Sequence, residues 1–235
     1  MATAPAASRR VLTPHPEWLL LGATAALVLF HYTTRADAVG VLGRDGRWSV
    51  LTRPPLSPAA HFAASGLLLG VLPVLLARMT GLPLRALGLG RGRWRAGLAW
   101  LAVGIPLAVL AGWIGSRSPD VRAVYPLDAG LTAAPSAFIP HALQQFLYFG
   151  AWEVLFRGVL LFGLRDRLGG GTANLLQTAL SVVAHFGRAF DETLAALPAG
   201  LLFGWVDLRV RSVWYVAVIH WVVGVSLDWF IVLGP

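Results

Sequence analysis

The stretch Trp152-Glu153-Val154-Leu155-Phe156-Arg157-Gly158 decides how this chain is organised. It lies inside an apolar run, residues 135–164, where a carboxylate and a guanidinium are costly to bury. Charged side chains in a membrane-spanning segment face the interior of the helix bundle, pair with one another and mark function. Glu153 and Arg157 are four residues apart, so on a helix they share a face and can form an ion pair.

The composition indicates an integral membrane protein. Of the 235 residues, 57% are hydrophobic and only 13% are charged, whereas a soluble domain carries about 25% charged residues. The mean hydropathy is +0.68. Successive apolar segments joined by short connections predict an all-α polytopic membrane bundle of about seven transmembrane helices. The chain has no cysteine, which excludes disulfides, thiolate catalysis and cysteine-based metal sites.

The segments are expected at residues 18–33, 58–76, 96–114, 135–164, 172–186, 193–206 and 212–233. We interpret the first as an uncleaved helix rather than a signal peptide, because polar residues separate it from the small residues Ala36-Asp37-Ala38. The fourth is about 45 Å long, longer than a hydrocarbon core of about 30 Å. It must therefore tilt, protrude or break, with Pro140 and Gly150 as candidate bends.

The distribution of arginine predicts the orientation. All nineteen basic residues are arginine and the formal net charge is +8. Such a balance can indicate nucleic-acid binding, but here the arginines lie in short connections between apolar segments, as in membrane proteins. Nucleic acid is therefore not an expected partner, and the lipid bilayer is. The arginine-rich connection before segment three should be cytoplasmic, which places the N-terminus inside and the C-terminus outside.

In this topology two histidines lie at about the same depth in the membrane as Glu153. Counted from the cytoplasmic end, Glu153 lies about 18 Å deep, His185 about 20 Å and His220 about 13 Å. A carboxylate and two imidazoles from separate helices can hold a divalent metal such as zinc or activate a water. These three residues are therefore catalytic candidates and candidate metal ligands, and Arg157 would orient Glu153.

Two further acidic residues, Glu192 and Asp228, are auxiliary candidates at a depth of about 25 Å. Each also has a simpler interpretation. Glu192 is near the start of the sixth segment, where a carboxylate favours the positive end of a helix, and Asp228 can be solvated near the outer interface. Glu153, His185 and His220 also have simpler interpretations. Glu153 can form an ion pair with Arg157 alone, and each histidine can form a hydrogen bond inside the bundle, without any part in catalysis.

Three short motifs resemble the CPBP family, which comprises CAAX proteases and bacteriocin-processing or immunity proteins. Residues 152–158 resemble its first motif, Ser181-Val182-Val183-Ala184-His185 its second and His220-Trp221-Val222-Val223-Gly224 its third. The resemblance covers about residues 138–230. It implies a protease-like core in residues 135–233 of a transmembrane domain of residues 18–233, which follows a polar tail of residues 1–17.

The resemblance implies an intramembrane endopeptidase that cleaves a membrane-associated peptide or a prenylated CAAX-type protein in a bacterial cytoplasmic membrane. It assigns water activation to Glu153 and His185, and makes His220 a third ligand or an oxyanion partner. Zinc or another divalent metal is the candidate cofactor. The chain departs from the family pattern at Trp152, where the family has a first glutamate, and at Gly224, where it has an asparagine.

These departures keep a second interpretation open, namely a catalytically inactive membrane scaffold or immunity protein with the same fold. Glu192 or Asp228 can fill the place of the missing glutamate, which would favour the enzyme. A transporter is not favoured, because corresponding halves of the chain show no paired broken helices.

Overall fold

The computed structural model describes residues 16–34, 39–42, 48–51 and 56–234. Most of the expected polar tail lies outside these residues. In the described part of the chain seven long helices follow one another, one for each expected segment. They are α1 Pro16–Thr34, α2 Pro58–Met79, α3 Trp94–Gly115, α4 Pro135–Leu168, α5 Gly170–Ala184, α6 Phe190–Val210 and α7 Trp214–Val232.

A β-hairpin that the sequence analysis did not predict follows α1. Its strands β1 (Val39–Leu42) and β2 (Trp48–Leu51) pair antiparallel, with Val39 opposite Leu51 and Leu42 opposite Trp48. The remaining connections contain only short helical turns, at Leu84–Leu87, Pro119–Arg122 and Ala129–Thr132. The hairpin is small, and the architecture is an all-α membrane bundle.

Five of the described helices, α2, α3, α4, α6 and α7, are long and apolar enough to cross a membrane. Helix α5 has only 15 residues, fewer than the 17 or so that a span needs. Helix α1 has 19 residues, but it carries Glu17 in its first turn and His31 in its last turn. The chain is therefore a polytopic membrane protein, and its first and fifth helices are less apolar or shorter than the others.

Helix α4 is the centre of the bundle. In its most apolar window 78% of the residues are buried, against 22%, 17%, 28% and 33% in α2, α3, α6 and α7. All nine residues of Val154–Phe162 are buried, and Leu155, Leu160 and Leu161 form the main hydrophobic core with residues of α1, α2 and α5. Glu153 and Arg157, the charged pair of the first motif, therefore lie on the most buried helix of the bundle.

Helix α4 changes its winding directly after Glu153. It is α-helical over Phe138–Glu153, π-helical over Val154–Phe162 and α-helical again over Gly163–Leu168. Neither Pro140 nor Gly150, the expected bends, interrupts it. Pro140 lies in the first turn of the α-helical part, which begins at Phe138, and there backbone N–H groups have no intrahelical partner and a proline costs little. π-Helical turns occur frequently at functional sites.

Helices α3 and α7 approach each other closely because glycines line the contact. Gly97, Gly104 and Gly112 are buried on one side of α3, and a Cβ atom at each would collide with Tyr215, Ile219 or Ser226 of α7. Small residues are what allow membrane helices to pack with their backbones close together. The opposite side of α3 exposes large apolar residues such as Leu98 and Leu107, as expected of a surface in contact with lipid.

We expect Gly112→Ala to destabilise the bundle by about 1–3 kcal/mol, the usual cost of overpacking. The added Cβ would lie 2.7 Å from the backbone nitrogen of Leu227, which cannot move aside as a side chain would. Thermal unfolding in detergent measures the effect. Gly171→Ala is the matched control, because a Cβ there meets nothing within 4 Å. Equal unfolding temperatures of the two variants would contradict this account of the contact.

Two arginine-rich connections, the one before α3 and the one before α7, meet at one end of the bundle. The backbone N–H of Arg93 donates to the carbonyl of Val210 (2.7 Å), and that of Val213 donates to the carbonyl of Gly88 (3.1 Å). At the other end, Ser118 donates to Asp191 at the start of α6 (2.8 Å). The segments that precede α3 and α7 therefore lie together, away from the connection between α3 and α4.

Candidate active site

Glu153 is fully buried, and both of its oxygens face cations or donors. Arg157 donates from Nη1 to Oε1 at 3.2 Å, and its Nε lies 3.1 Å from Oε2. His220 of α7 donates from Nδ1 to Oε1 at 2.6 Å. The ion pair expected from the four-residue spacing is present, and it is extended by a histidine from another helix.

His220 is held between this carboxylate and two aromatic rings. The ring centroids of Phe149 and Phe203 lie 4.8 Å and 5.7 Å from that of the imidazole. Since Nδ1 is bound to Glu153, Nε2 is the ring nitrogen left for another partner. A buried carboxylate at Nδ1 fixes the orientation of an imidazole and stabilises its protonated form.

His185 follows the last residue of α5 and is oriented by the end of that helix. Its Nδ1 donates to the backbone carbonyl of Ser181 at 2.7 Å, one of the carbonyls that a helix leaves without an intrahelical partner. This bond selects the tautomer in which Nε2 carries a lone pair. The ring of Trp152 lies edge-on to the imidazole, with the centroids 5.0 Å apart.

Glu192, in the first turn of α6, has one occupied oxygen and one open oxygen. Tyr125 donates its hydroxyl to Oε1 at 2.9 Å, whereas Oε2 is buried and has no hydrogen-bond partner among the described residues. Burial raises the pKa of the Tyr125 phenol well above its usual value of 10, so the hydroxyl remains a donor. A buried carboxylate oxygen without a protein donor is uncommon, which makes Glu192 a candidate for contact with a water or a substrate.

His185, Glu192 and His220 border one small cavity of about 40 Å³. A water needs roughly 10–15 Å³ of such space, so the cavity holds roughly three waters. Glu153 does not border it and lies behind His220. The full set of lining residues is Phe62, Tyr125, Leu127, Gln145, Tyr148, Phe149, Trp152, His185, Glu192, His220 and Gly224.

A larger cavity of about 250 Å³ adjoins the first. The two have Tyr148, Trp152 and His185 in common, so these side chains form a wall between them. The other residues that line the larger cavity are Leu27, Val28, Phe30, His31, Tyr32, Thr34, His61, Ala184 and Arg188.

Asp228 is not solvated at the outer interface, as one interpretation of the sequence held. It is fully buried and accepts hydrogen bonds at Oδ2 from Gln145 Nε2 (2.6 Å) and His141 Nε2 (3.0 Å), both on α4. These bonds link α7 to α4 deep in the bundle. Asp228 does not border the small cavity, although Gln145 does.

The two departures from the family pattern, Trp152 and Gly224, both border the small cavity. Trp152 is 3% exposed and its ring lies between those of His185 and Phe156, with centroid distances of 5.0 Å and 4.6 Å. At Gly224 an added Cβ would collide with the ring of Phe149. A carboxamide side chain at this position would therefore require Phe149 to move.

A comparison with protein-family models gives one match for the region that contains all three motifs. The model described as Type II CAAX prenyl endopeptidase Rce1-like matches residues 135–226. This part of the chain is similar to CAAX proteases. The matched residues run from the start of α4 into α7 and include every side chain of the Glu153–Arg157–His220 network. Searches of curated proteins and of solved structures gave no match.

Two residues of or near this CAAX protease-like region, Tyr125 and Asp207, were not singled out by the sequence analysis. Tyr125 lies in a connection and carries no motif, so nothing in the sequence linked it to Glu192. Asp207 of α6 is fully buried, and its carboxylate has no hydrogen-bond partner among the described residues. Asp207 is an acidic residue at the end of an apolar segment, and this pattern could have marked it. Its closeness in sequence to Arg209 and Arg211 made it look like part of a charged connection.

The side chains of this CAAX protease-like region do not fit a metal held by Glu153, His185 and His220. Among the described residues, no group of three or more His, Asp or Glu side chains is arranged to hold a metal ion. The oxygens of Glu153 face Arg157 and His220, and the Nδ1 atoms of both histidines are occupied. Zinc at these residues stays a prediction.

Proposed function

We propose that this protein is an intramembrane endopeptidase that hydrolyses a membrane-associated peptide or a prenylated CAAX-type protein. The observation that supports this most is the small cavity, in which a carboxylate with an open oxygen and two oriented imidazoles surround space for water. The family match of the same region supports proteolysis as the reaction.

In the proposed reaction Glu192 is the general base. Its Oε2 takes a proton from a water in the cavity, and Nε2 of His185 accepts the second O–H and so orients that water. The oxygen forms a bond to the carbonyl carbon of the substrate, whose carbonyl oxygen becomes an oxyanion. When the carbon–nitrogen bond breaks, the proton held by Glu192 passes to the leaving nitrogen, so one water is consumed for each bond cleaved.

Glu153 and Arg157 act through His220 in this proposal. Glu153 stabilises the protonated imidazole, whose Nε2 then donates to the oxyanion, a type of contact that contributes strongly to acyl-transfer catalysis. Arg157 balances the charge of Glu153. The sequence analysis assigned water activation to Glu153 itself, but its oxygens face Arg157 and His220 and it does not border the cavity.

We also propose that the arginine-bearing end of the bundle is cytoplasmic, with the N-terminus inside and the C-terminus outside a bacterial cytoplasmic membrane. The hydrogen bonds between Arg93 and Val210 and between Gly88 and Val213 support this, because they bring two arginine-rich connections together at one end, as expected of a cytoplasmic side. The small cavity borders the connection between α3 and α4 and so lies toward the opposite half.

The direct test is peptide cleavage by the purified protein in lipid nanodiscs, followed by mass spectrometry. Farnesylated and unmodified peptides with a CAAX-type end are compared. We expect cleavage at one bond, and a fall of at least about 100-fold in His185→Gln, because the water loses an oriented acceptor. Circular dichroism and thermal unfolding establish that the variant is folded. Undiminished cleavage by folded His185→Gln would rule out this site as the source of activity.

The second candidate function is that of a non-catalytic scaffold or immunity protein of the same family. The packing of Phe149 against Gly224 favours it, since this ring occupies space that a polar side chain would otherwise use. This function predicts that the folded wild-type protein leaves both peptides intact in nanodiscs.

A further inference from the structure

The two arginine-rich connections, the one before α3 and the one before α7, are fastened to each other by side chains as well as by backbone. Ser212 donates from Oγ to the carbonyl of Gly90 at 2.7 Å, and Trp214 donates from Nε1 to the carbonyl of Leu89 at 2.8 Å. Both bonds run from one connection to the other. The side chains that the two connections carry therefore form one continuous surface.

This surface carries five arginines and no acidic residue. Neither residues 88–95 nor residues 208–215 contain an aspartate or a glutamate. All five arginines are exposed, and in the part of the chain that the structure describes none of them forms an ion pair with a carboxylate. The arginine surface, as we call it, consists of Arg91, Arg93, Arg95, Arg209 and Arg211. Like charges gathered without a counter-charge attract anionic partners.

Tryptophans place part of the arginine surface at the boundary of the membrane. The guanidinium of Arg95 lies 5.3 Å from the centre of the Trp94 ring, and that of Arg209 lies 4.4 Å from the centre of the Trp205 ring. Both tryptophans are exposed. Exposed tryptophans are enriched where lipid headgroups meet the hydrocarbon core, so these two guanidinium groups lie at the depth of the headgroups.

An apolar strip continues from these tryptophans toward the hydrocarbon core. On α3, Leu98 follows Trp94 by four residues and is exposed. On α6, Leu202 precedes Trp205 by three residues and is exposed as well. Residues three or four apart share a helix face. The two helices are also in contact here, because the Trp100 ring meets the Trp205 ring edge-on with the centroids 5.6 Å apart. The leucines therefore lie below the arginines on adjacent helices.

We propose that the arginine surface and the apolar strip below it together bind an anionic phospholipid. The lipid phosphate contacts Arg93, Arg95 and Arg209, and the acyl chains cover the exposed leucines. Clusters of arginine beside membrane helices attract anionic lipids, and the fork of a guanidinium matches a phosphate. Arg93 reaches across to α6, where its Nη1 donates to the carbonyl of Arg209 at 3.4 Å. A nucleic acid or an acidic soluble protein would meet the arginines but leave the leucines uncovered.

The test measures which lipid stays bound to the purified protein. The full chain is equilibrated in micelles that contain equal amounts of phosphatidylglycerol and phosphatidylcholine with the same acyl chains, and the bound lipid is quantified by mass spectrometry. One arginine near the surface contributes about fivefold to the binding of an anionic lipid. We therefore expect at least about a fivefold excess of bound phosphatidylglycerol, which falls toward one in about 1 M salt because the charges are then screened.

Substitutions locate the site on the protein. In the triple variant Arg93→Gln, Arg95→Gln, Arg209→Gln the excess should fall to about one, whereas the same three substitutions to lysine should retain most of it. Arg117→Gln is the matched control, because Arg117 also lies on a tryptophan, 5.2 Å from the centre of the Trp113 ring, but at the other end of the bundle. Thermal unfolding establishes that the variants are folded. Equal binding of the two lipids by the wild-type protein overturns the site, as does loss of the excess in Arg117→Gln.

Soluble anions distinguish a lipid from other anionic partners. Glycerol phosphate has the phosphate of the headgroup but no acyl chains, so at the concentration of the lipid it should leave phosphatidylglycerol bound. Complete displacement by glycerol phosphate would assign the arginines to a free phosphate. Displacement by a short single-stranded RNA or a polyglutamate peptide would assign them to a soluble macromolecule. Either result overturns the lipid site, and neither depends on whether the protein cleaves peptides.

Discussion

Glu192→Gln is expected to lower the rate of peptide cleavage by about 10²- to 10⁴-fold, the usual contribution of a positioned general base. The amide can still accept the hydroxyl of Tyr125, so the fold and the cavity are retained, but it cannot take a proton from water. KM should change little, because the amide has nearly the same size and shape as the carboxylate it replaces. The measurement is steady-state cleavage in nanodiscs.

Asp191→Asn is the matched control for this variant. Asp191 is the adjacent carboxylate in the same turn, but it is exposed and accepts from Ser118 at the surface. It should retain the wild-type rate. If Glu192→Gln also retained it, the open oxygen of Glu192 would have no part in activating water.

Glu153→Gln is expected to destabilise the protein by about 3–5 kcal/mol, the cost of leaving a buried charge without its partner. Arg157 is 2% exposed and pairs with Glu153. Cleavage should fall as well, because His220 loses the carboxylate that stabilises its protonated form. Thermal unfolding and cleavage are measured on the same preparation.

A double variant distinguishes the two effects of this substitution. Adding Arg157→Met to Glu153→Gln removes both charges, and replacing a buried ion pair by uncharged groups is often nearly neutral for stability. We expect the double variant to recover much of the lost stability but none of the lost activity. Recovery of activity would show that the carboxylate of Glu153 is needed only for folding.

The helices were predictable because they follow the apolar runs. Helix α3 was expected at residues 96–114 and spans Trp94–Gly115, and helix α7 was expected at 212–233 and spans Trp214–Val232. Seven helices were expected, but α1 and α5 lack the length or hydropathy of the other five. The π-helical stretch of α4 was not predictable, since it depends on how neighbouring helices pack around the segment and not on a residue pattern.

The site was predictable where depth alone brings residues together. Glu153 and His220 were expected at a similar level, and they are in contact. The depth of a residue does not tell which way its side chain points around the helix axis. For this reason His185 was expected beside Glu153, whereas the His185 ring contacts Trp152 and borders the cavities. The solvated position expected for Asp228 rested on its place in α7 alone. Its hydrogen-bond partners His141 and Gln145 lie on α4, so they could not be expected from α7.

The ion pair within α4 has a consequence for the way the chain enters the membrane. A single charged residue at the centre of a membrane helix costs about 2.5–3.5 kcal/mol on insertion scales. Glu153 and Arg157 belong to the same helix, so each is neutralised as soon as that helix forms, before any neighbour is in place. The bond to His220 can form only when α7, which is made after α4, has entered the membrane. The charges are therefore already compensated when α4 forms, and the histidine joins them at a later step of assembly.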